Sequence, residues 1–208
     1  MTSIRSLKNV ALLFEDPLIQ RLTAKHPTIE TDRLENLARN SERNDIIQAA
    51  HKQRADALDE IGQVAKIIDK LEATADGVLV ADPKKQLKYF QELDRSADGL
   101  KAAVEKWQAG TKTLIDMDVL SATSEQVAKD ALNIAKTTNR IFDQAANLAK
   151  NFVDKTDKDS LVGKLSRNAY RNITEVAIST SYSMDDFMRT VLKRNPADVR
   201  AGRFSIIV

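Results

Sequence analysis

Residues 123–152 read TSEQVAKDALNIAKTTNRIFDQAANLAKNF. Within them Val127, Ala131, Ile134, Thr138, Ile141, Ala145, Leu148 and Phe152 follow one another at alternating steps of four and three, the rhythm of a helix that packs along its whole length. Ala128, Leu132, Ala135, Phe142, Ala149 and Val153 lie beside that stripe and widen it enough to meet more than one neighbour. The stretch therefore predicts the central helix of a bundle. The side chains of that stripe specify packing; none of them is a metal ligand or a proton carrier.

The same spacing extends upstream. Residues 83–120 carry Leu87, Phe90, Leu93, Ala97, Leu100, Val104, Trp107, Thr111 and Leu114 on one face, with Asp82-Pro83 suited to open the helix. Gly99 and Gly110 lie inside it, each costing on the order of 1 kcal/mol against Ala, so a bend or a close helix contact is expected there. Before it, residues 28–75 read as one long helix with Leu58, Ile61, Ala65, Ile68 and Leu71 towards its end, broken at Asp76-Gly77. Its middle is polar: Ser41, Asn44, Gln48 and His51 fall where seam residues belong, which predicts exposure rather than a polar layer.

Downstream, Thr123 and Gln126 have capping-box spacing ahead of the central helix. A further helix from about residue 160 presents Val162, Leu165, Ala169, Ile173 and Val176. The hydroxyl cluster Ser179, Thr180, Ser181 and Ser183 predicts a break, because such side chains compete for backbone hydrogen bonds. Met184, Phe187, Met188, Val191 and Leu192 then form a short apolar face ending near Asn195-Pro196, and residues 204–208 are β-prone. At the other end, Ile4, Leu7, Val10, Ala11 and Phe14 make a short amphipathic segment, followed by a second around Leu18, Ile19 and Leu22. The expected fold is all-α: an elongated bundle of three to four long helices with short helical arms and a short extended C-terminal segment. Its divisions are an N-terminal arm at 1–27, a bundle at 28–180 and a C-terminal short helix and tail at 181–208.

Composition agrees. Among 208 residues there are 6 Gly and 4 Pro, the aromatic share is 5% and the charged share 30%, as helices with wide water-facing sides require. A formal net charge of +2 is too close to balance to imply nucleic acid or an acidic membrane for the chain as a whole. The chain has no cysteine, which removes disulfides and thiol chemistry and leaves the redox compartment open. The apolar run from Val10 to Phe14 is too short for a signal-peptide core, and no stretch approaches the roughly 18 apolar residues of a membrane helix. The expectation is a soluble protein without membrane insertion. It is cytoplasmic by default, with a virion or a non-classically exported extracellular assembly as alternatives.

Motifs for catalysis do not assemble. Gly163-Lys164 lacks the upstream glycine of a phosphate loop. The chain has two histidines, His26 and His51, and Gln48 stands where a Glu-x-x-His metal pair needs its acid. Asp154, Asp157 and Asp159 alternate with Lys155 and Lys158 and lack a calcium loop's glycine. Trp107 reads as core. The expectation is no catalytic, cofactor-binding or metal residue, and no enzyme.

The expected function is a structural or assembly subunit that associates with itself, and with other protein subunits, through its terminal arms. Leu7, Val10, Phe14, Phe187, Val191, Phe204, Ile206, Ile207 and Val208 are the candidate assembly contacts. One alternative is a helical adaptor or chaperone-like module for a protein partner. A second is a nucleic-acid-associated protein: after Phe187, Arg189, Lys193, Arg194, Arg200 and Arg203 stand against Asp198 alone, net +4. Those five are the candidate contacts for an anionic partner.

Overall fold

The computed structural model describes residues 27–204 and 206, with side chains described from residue 36 onward. It is all-α. Four long helices, α1 (Pro27–Val78), α2 (Pro83–Asp116), α3 (Glu125–Lys155) and α4 (Leu161–Thr190), precede a single-turn α5 (Pro196–Arg200). Among the described residues the extended C-terminal segment pairs through one isolated antiparallel bridge, Arg194 to Ile206. The chain forms two compact units, Met1–His51 and Lys52–Val208. In the first, side chains from residue 36 to residue 49 are exposed or half-buried, with Asn44, Gln48 and His51 in water.

The second unit is a four-helix bundle built from two antiparallel hairpins. Lys106 on α2 bonds Glu60 on α1 at 2.7 Å, and the Tyr89 hydroxyl reaches the Leu71 carbonyl at 3.1 Å, so α1 and α2 run in opposite directions. In the other hairpin, Ser181 on α4 bonds Asn139 on α3 at 3.2 Å. The hairpins lie side by side with like directions together. Arg54 meets Asp130 at 3.5 Å and Gln144 meets Glu72 at 2.6 Å between α1 and α3. Asn172 meets Asp94 at 3.3 Å, and Ser183 meets Gln108 at 3.0 Å, between α4 and α2.

The stripe of α3 is buried along its length, from Val127 through Ile141 to Phe152. Thr138, its single hydroxyl, donates to the Ile134 carbonyl at 2.9 Å, so the stripe itself buries no unpaired hydroxyl. Facing it are Ile61, Val64 and Ile68 of α1, Phe90, Leu93, Leu100 and Trp107 of α2, and Ile173, Met184 and Phe187 of α4. Tyr89, Phe90 and Phe152 stack edge to face at 5.3–5.5 Å near one end. Trp107 and Phe187 do so at 5.6 Å near the other.

Helix ends explain where the reading above departs from the structure. Asp82 accepts from the Lys85 amide at 3.0 Å ahead of Pro83, as expected. Asp76-Gly77 does not end α1, which runs on to Val78. The expected capping box does not form: the N-cap of α3 is Ser124, which makes no side-chain cap bond. Thr123 pairs instead with Ser121 at 2.8 Å, and Gln126 bonds Asp130 at 2.9 Å. The break expected at residues 179–183 is also absent, because Thr180, Ser181 and Ser183 find partners that leave the helix intact. Thr180 donates to the Val176 carbonyl at 2.7 Å, while Ser181 and Ser183 reach across to Asn139 and Gln108. α4 therefore carries Met184, Phe187 and Met188 within one helix.

Candidate functional site

Leu7, Val10, Phe14, Ile207 and Val208 lie outside the described residues. Of the other candidate assembly contacts, Phe187 is in the core against Trp107, and Val191 and Phe204 are half-buried against that core. Ile206 is 48% exposed. Lys129 lies 5.6 Å over the Phe204 ring, which docks the tail on the first turn of α3.

The five basic residues separate into two groups. Arg200 pairs with Asp185 of α4, and Arg203 bonds Asp198 through Nε at 3.0 Å, so both serve internal contacts. Arg189 and Lys193 are exposed and have no partner among the described residues. Lys193 ends α4 with a left-handed backbone, φ 52°, after the amides of Val191 and Leu192 have both bonded the Phe187 carbonyl. That reversal turns Arg194 inward. It is 2% exposed, donates through Nη2 to the Thr123 carbonyl, and keeps Nε and Nη1 buried without partners. Thr123 immediately precedes the N-cap of α3. There the Glu125 carboxyl is held below its usual range by its bond to Lys129, with Arg194 adding to the effect.

Sequence reasoning missed the surface of α4. Tyr170 is 38% exposed, Ile178 52% and Tyr182 72%, and with Thr174 they fall four residues apart, forming one ridge on a helix. Beside the ridge a groove of about 400 Å³ runs between α3 and α4, with Phe142 and Ala177 at its base and Asn139, Asp143 and Asp185 along it. The spacing was readable, but the break expected at residues 179–183 hid it.

A second groove, about 510 Å³, lies where α1 turns into α2, between Leu71, Val78 and Ala81 on one side and Lys85, Lys88 and Tyr89 on the other. Leu79, Val80 and Leu87 are exposed near it, Val80 at 89%. Burial, with Glu72 adding to it, pushes the Tyr89 phenol up to about 12. Nearer the middle of the bundle, burial raises the Asp94 carboxyl against the lowering effect of its bond from Asn172.

Among the described residues no three His, Cys, Asp or Glu side chains come together as metal ligands. No described helix is long and apolar enough to cross a membrane. In comparisons with protein-family models, curated proteins and solved structures, nothing matches this chain.

Proposed function

We propose that this chain is a non-enzymatic structural subunit that associates with further copies of itself, using the ridge and groove of α4 as the contact. The observation that carries the reading is the exposure of Ile178 and Tyr182, 52% and 72%, on a helix whose opposite face is buried. Side chains of this kind stabilise a contact by about 1.5–3 kcal/mol each when covered, and tyrosine is a frequent anchor at interfaces. The exposed Leu79, Val80 and Leu87 give the same unit a second, non-identical apolar surface. Two different complementary surfaces on one molecule generate head-to-tail rather than two-fold contacts, and so rings or filaments.

The nucleic-acid reading draws less support, since Arg194, Arg200 and Arg203 have internal partners and leave Arg189 and Lys193 to meet phosphates. An adaptor for a different protein would use the same ridge. The test is molar mass by light scattering across a concentration series, on the full chain and on the double variant Ile178→Lys, Tyr182→Lys. The expected result is mass that grows with concentration, with a midpoint at least about 100-fold higher in the variant, as the loss of two such anchors implies. A chain that stays monomeric at every concentration overturns self-association.

A further inference from the structure

We propose that the α1–α2 groove of one copy receives the α4 ridge of the next, so that copies join head to tail. This rests on the self-association read above and names the two surfaces that meet. The ridge is convex and apolar at Ile178 and Tyr182, 52% and 72% exposed. The groove is concave and lined by the apolar Leu71, Val78 and Ala81, with Leu79, Val80 and Leu87 exposed near it. Its volume of about 510 Å³ falls within the roughly 300–1,000 Å³ of clefts that bury most of a ligand.

Charge favours the same pairing. Asp143 and Asp185 line the α3–α4 groove beside Tyr182, and Asp186 lies one turn beyond Tyr182 on the ridge. Asp185 is bound to Arg200. Asp143 and Asp186 have no ion-pair partner among the described residues, with Arg189 three residues beyond Asp186. Arg140 lines the α1–α3 side instead, beside Glu72 and Gln144. At the α1–α2 groove Lys85 pairs with Asp82 at 3.5 Å, while Lys84 and Lys88 have no partner among the described residues. Glu92, also lining that groove, lies one turn beyond Lys88. Each side is thus left with two free charges of one sign against one of the other, and the signs are opposite. Such an arrangement sets register and disfavours the competing contact of ridge on ridge.

The two surfaces lie on opposite sides of the bundle. The bonds from α1 to α3 and from α4 to α2 hold the hairpins face to face, so the groove between α1 and α2 opens away from the one between α3 and α4. A copy whose ridge is covered by one neighbour therefore keeps its own groove free for another. Such a contact is heterologous and does not close at two copies.

The test uses the full chain, two variants of it and light scattering across a concentration series. Ile178→Lys with Tyr182→Lys removes the ridge and keeps the groove. Thr74→Glu with Lys88→Glu spoils the groove and keeps the ridge, and because both positions are exposed the bundle is retained, which thermal unfolding checks. The parent should grow past two copies, and each variant alone should stay monomeric up to about 100-fold above the parent's midpoint. Mixed one to one at a concentration that assembles the parent, the two variants should form a complex of two chains and nothing larger, because the intact ridge of one meets the intact groove of the other. A parent that stays monomeric overturns self-association itself and this pairing with it. A parent that assembles while the Thr74→Glu, Lys88→Glu variant assembles equally well overturns the pairing alone. So does parent growth that stops at two copies, or a mixture of the two variants that stays monomeric.

Discussion

Replacing Gly163 by Ala should destabilise the bundle, against the usual gain of about 1 kcal/mol for Gly to Ala inside a helix. A Cβ on Gly163 would stand 2.0 Å from the Asp157 carbonyl oxygen and 3.1 Å from Ser160 Oγ. Neither neighbour is a flexible side-chain tip. The Ser160 hydroxyl donates to that carbonyl at 2.6 Å and accepts from the Gly163 amide at 3.0 Å, so one tight turn ends the α3–α4 loop and caps α4. Accommodating the methyl group moves backbone by more than an ångström and breaks the cap. Overpacking of this kind costs about 1–3 kcal/mol and a lost serine cap about 1 kcal/mol. After the helix-propensity gain the net loss is about 2 kcal/mol, or about 4–8 °C in melting temperature for a chain of this size. Gly62→Ala is the control: the same change inside α1, with nothing within 4 Å of the added carbon, should raise stability by about 0.5–1 kcal/mol. Thermal and urea unfolding of both variants measure the difference in sign. If Gly163→Ala is as stable as Gly62→Ala, the turn is not packed as described. Ser160→Ala with Gly163→Ala should cost less than the sum of the singles, because both act on one turn.

Two further substitutions test other ends of the bundle. Asp118 holds the left-handed position, φ 57°, of a turn in which Val119 bonds the Leu114 carbonyl at 2.9 Å and Asp118 bonds Ile115 at 3.0 Å. This is a Schellman cap that glycine fits without steric penalty, so Asp118→Gly should raise urea-unfolding stability by about 0.5–1 kcal/mol. Tyr89 has its folded pKa raised from 10.0 to about 12. The stabilisation is complete below the unfolded value and is lost as pH rises through the window between the two. Unfolding free energy should fall by about 2 kcal/mol between pH 10 and 12 beyond any loss in Tyr89→Phe, and a parallel fall in both proteins refutes the assignment.

Most of the fold was legible because helical periodicity repeats over many turns. The α3 stripe and the buried face of α2 needed only spacing to be read, and each residue reinforced the next. The errors fell where one side chain had to choose between local and distant partners. A hydroxyl cluster such as Ser179 to Ser183 competes with its own backbone in isolation. It breaks nothing once Gln108 and Asn139 on neighbouring helices accept the hydrogen bonds. Those acceptors are 75 and 42 residues away, beyond the reach of local pattern. The same separation hid the ridge of Tyr170, Ile178 and Tyr182, since a surface is visible in sequence only when its helix is known to continue.

Charge shows the same limit more sharply. Arg189, Lys193, Arg194, Arg200 and Arg203 looked alike as a net +4 segment, yet their environments differ as much as charged side chains can. Arg189 and Lys193 are in water, Arg200 and Arg203 are paired, and Arg194 is buried with two donors unused. The cause is local. With Lys193 in the left-handed region, the Arg194 amide reaches the Met188 carbonyl at 2.9 Å, and the reversed backbone carries the side chain under the start of α3. A one-residue difference in where the helix ended would have turned Lys193 inward and left Arg194 in solvent. Such a register cannot be read from composition. Arg194 is thus the buried member of the basic segment, and Arg194→Met, which removes a buried charge with two unpartnered nitrogens, should raise stability, whereas Arg200 and Arg203 give up an ion pair when removed.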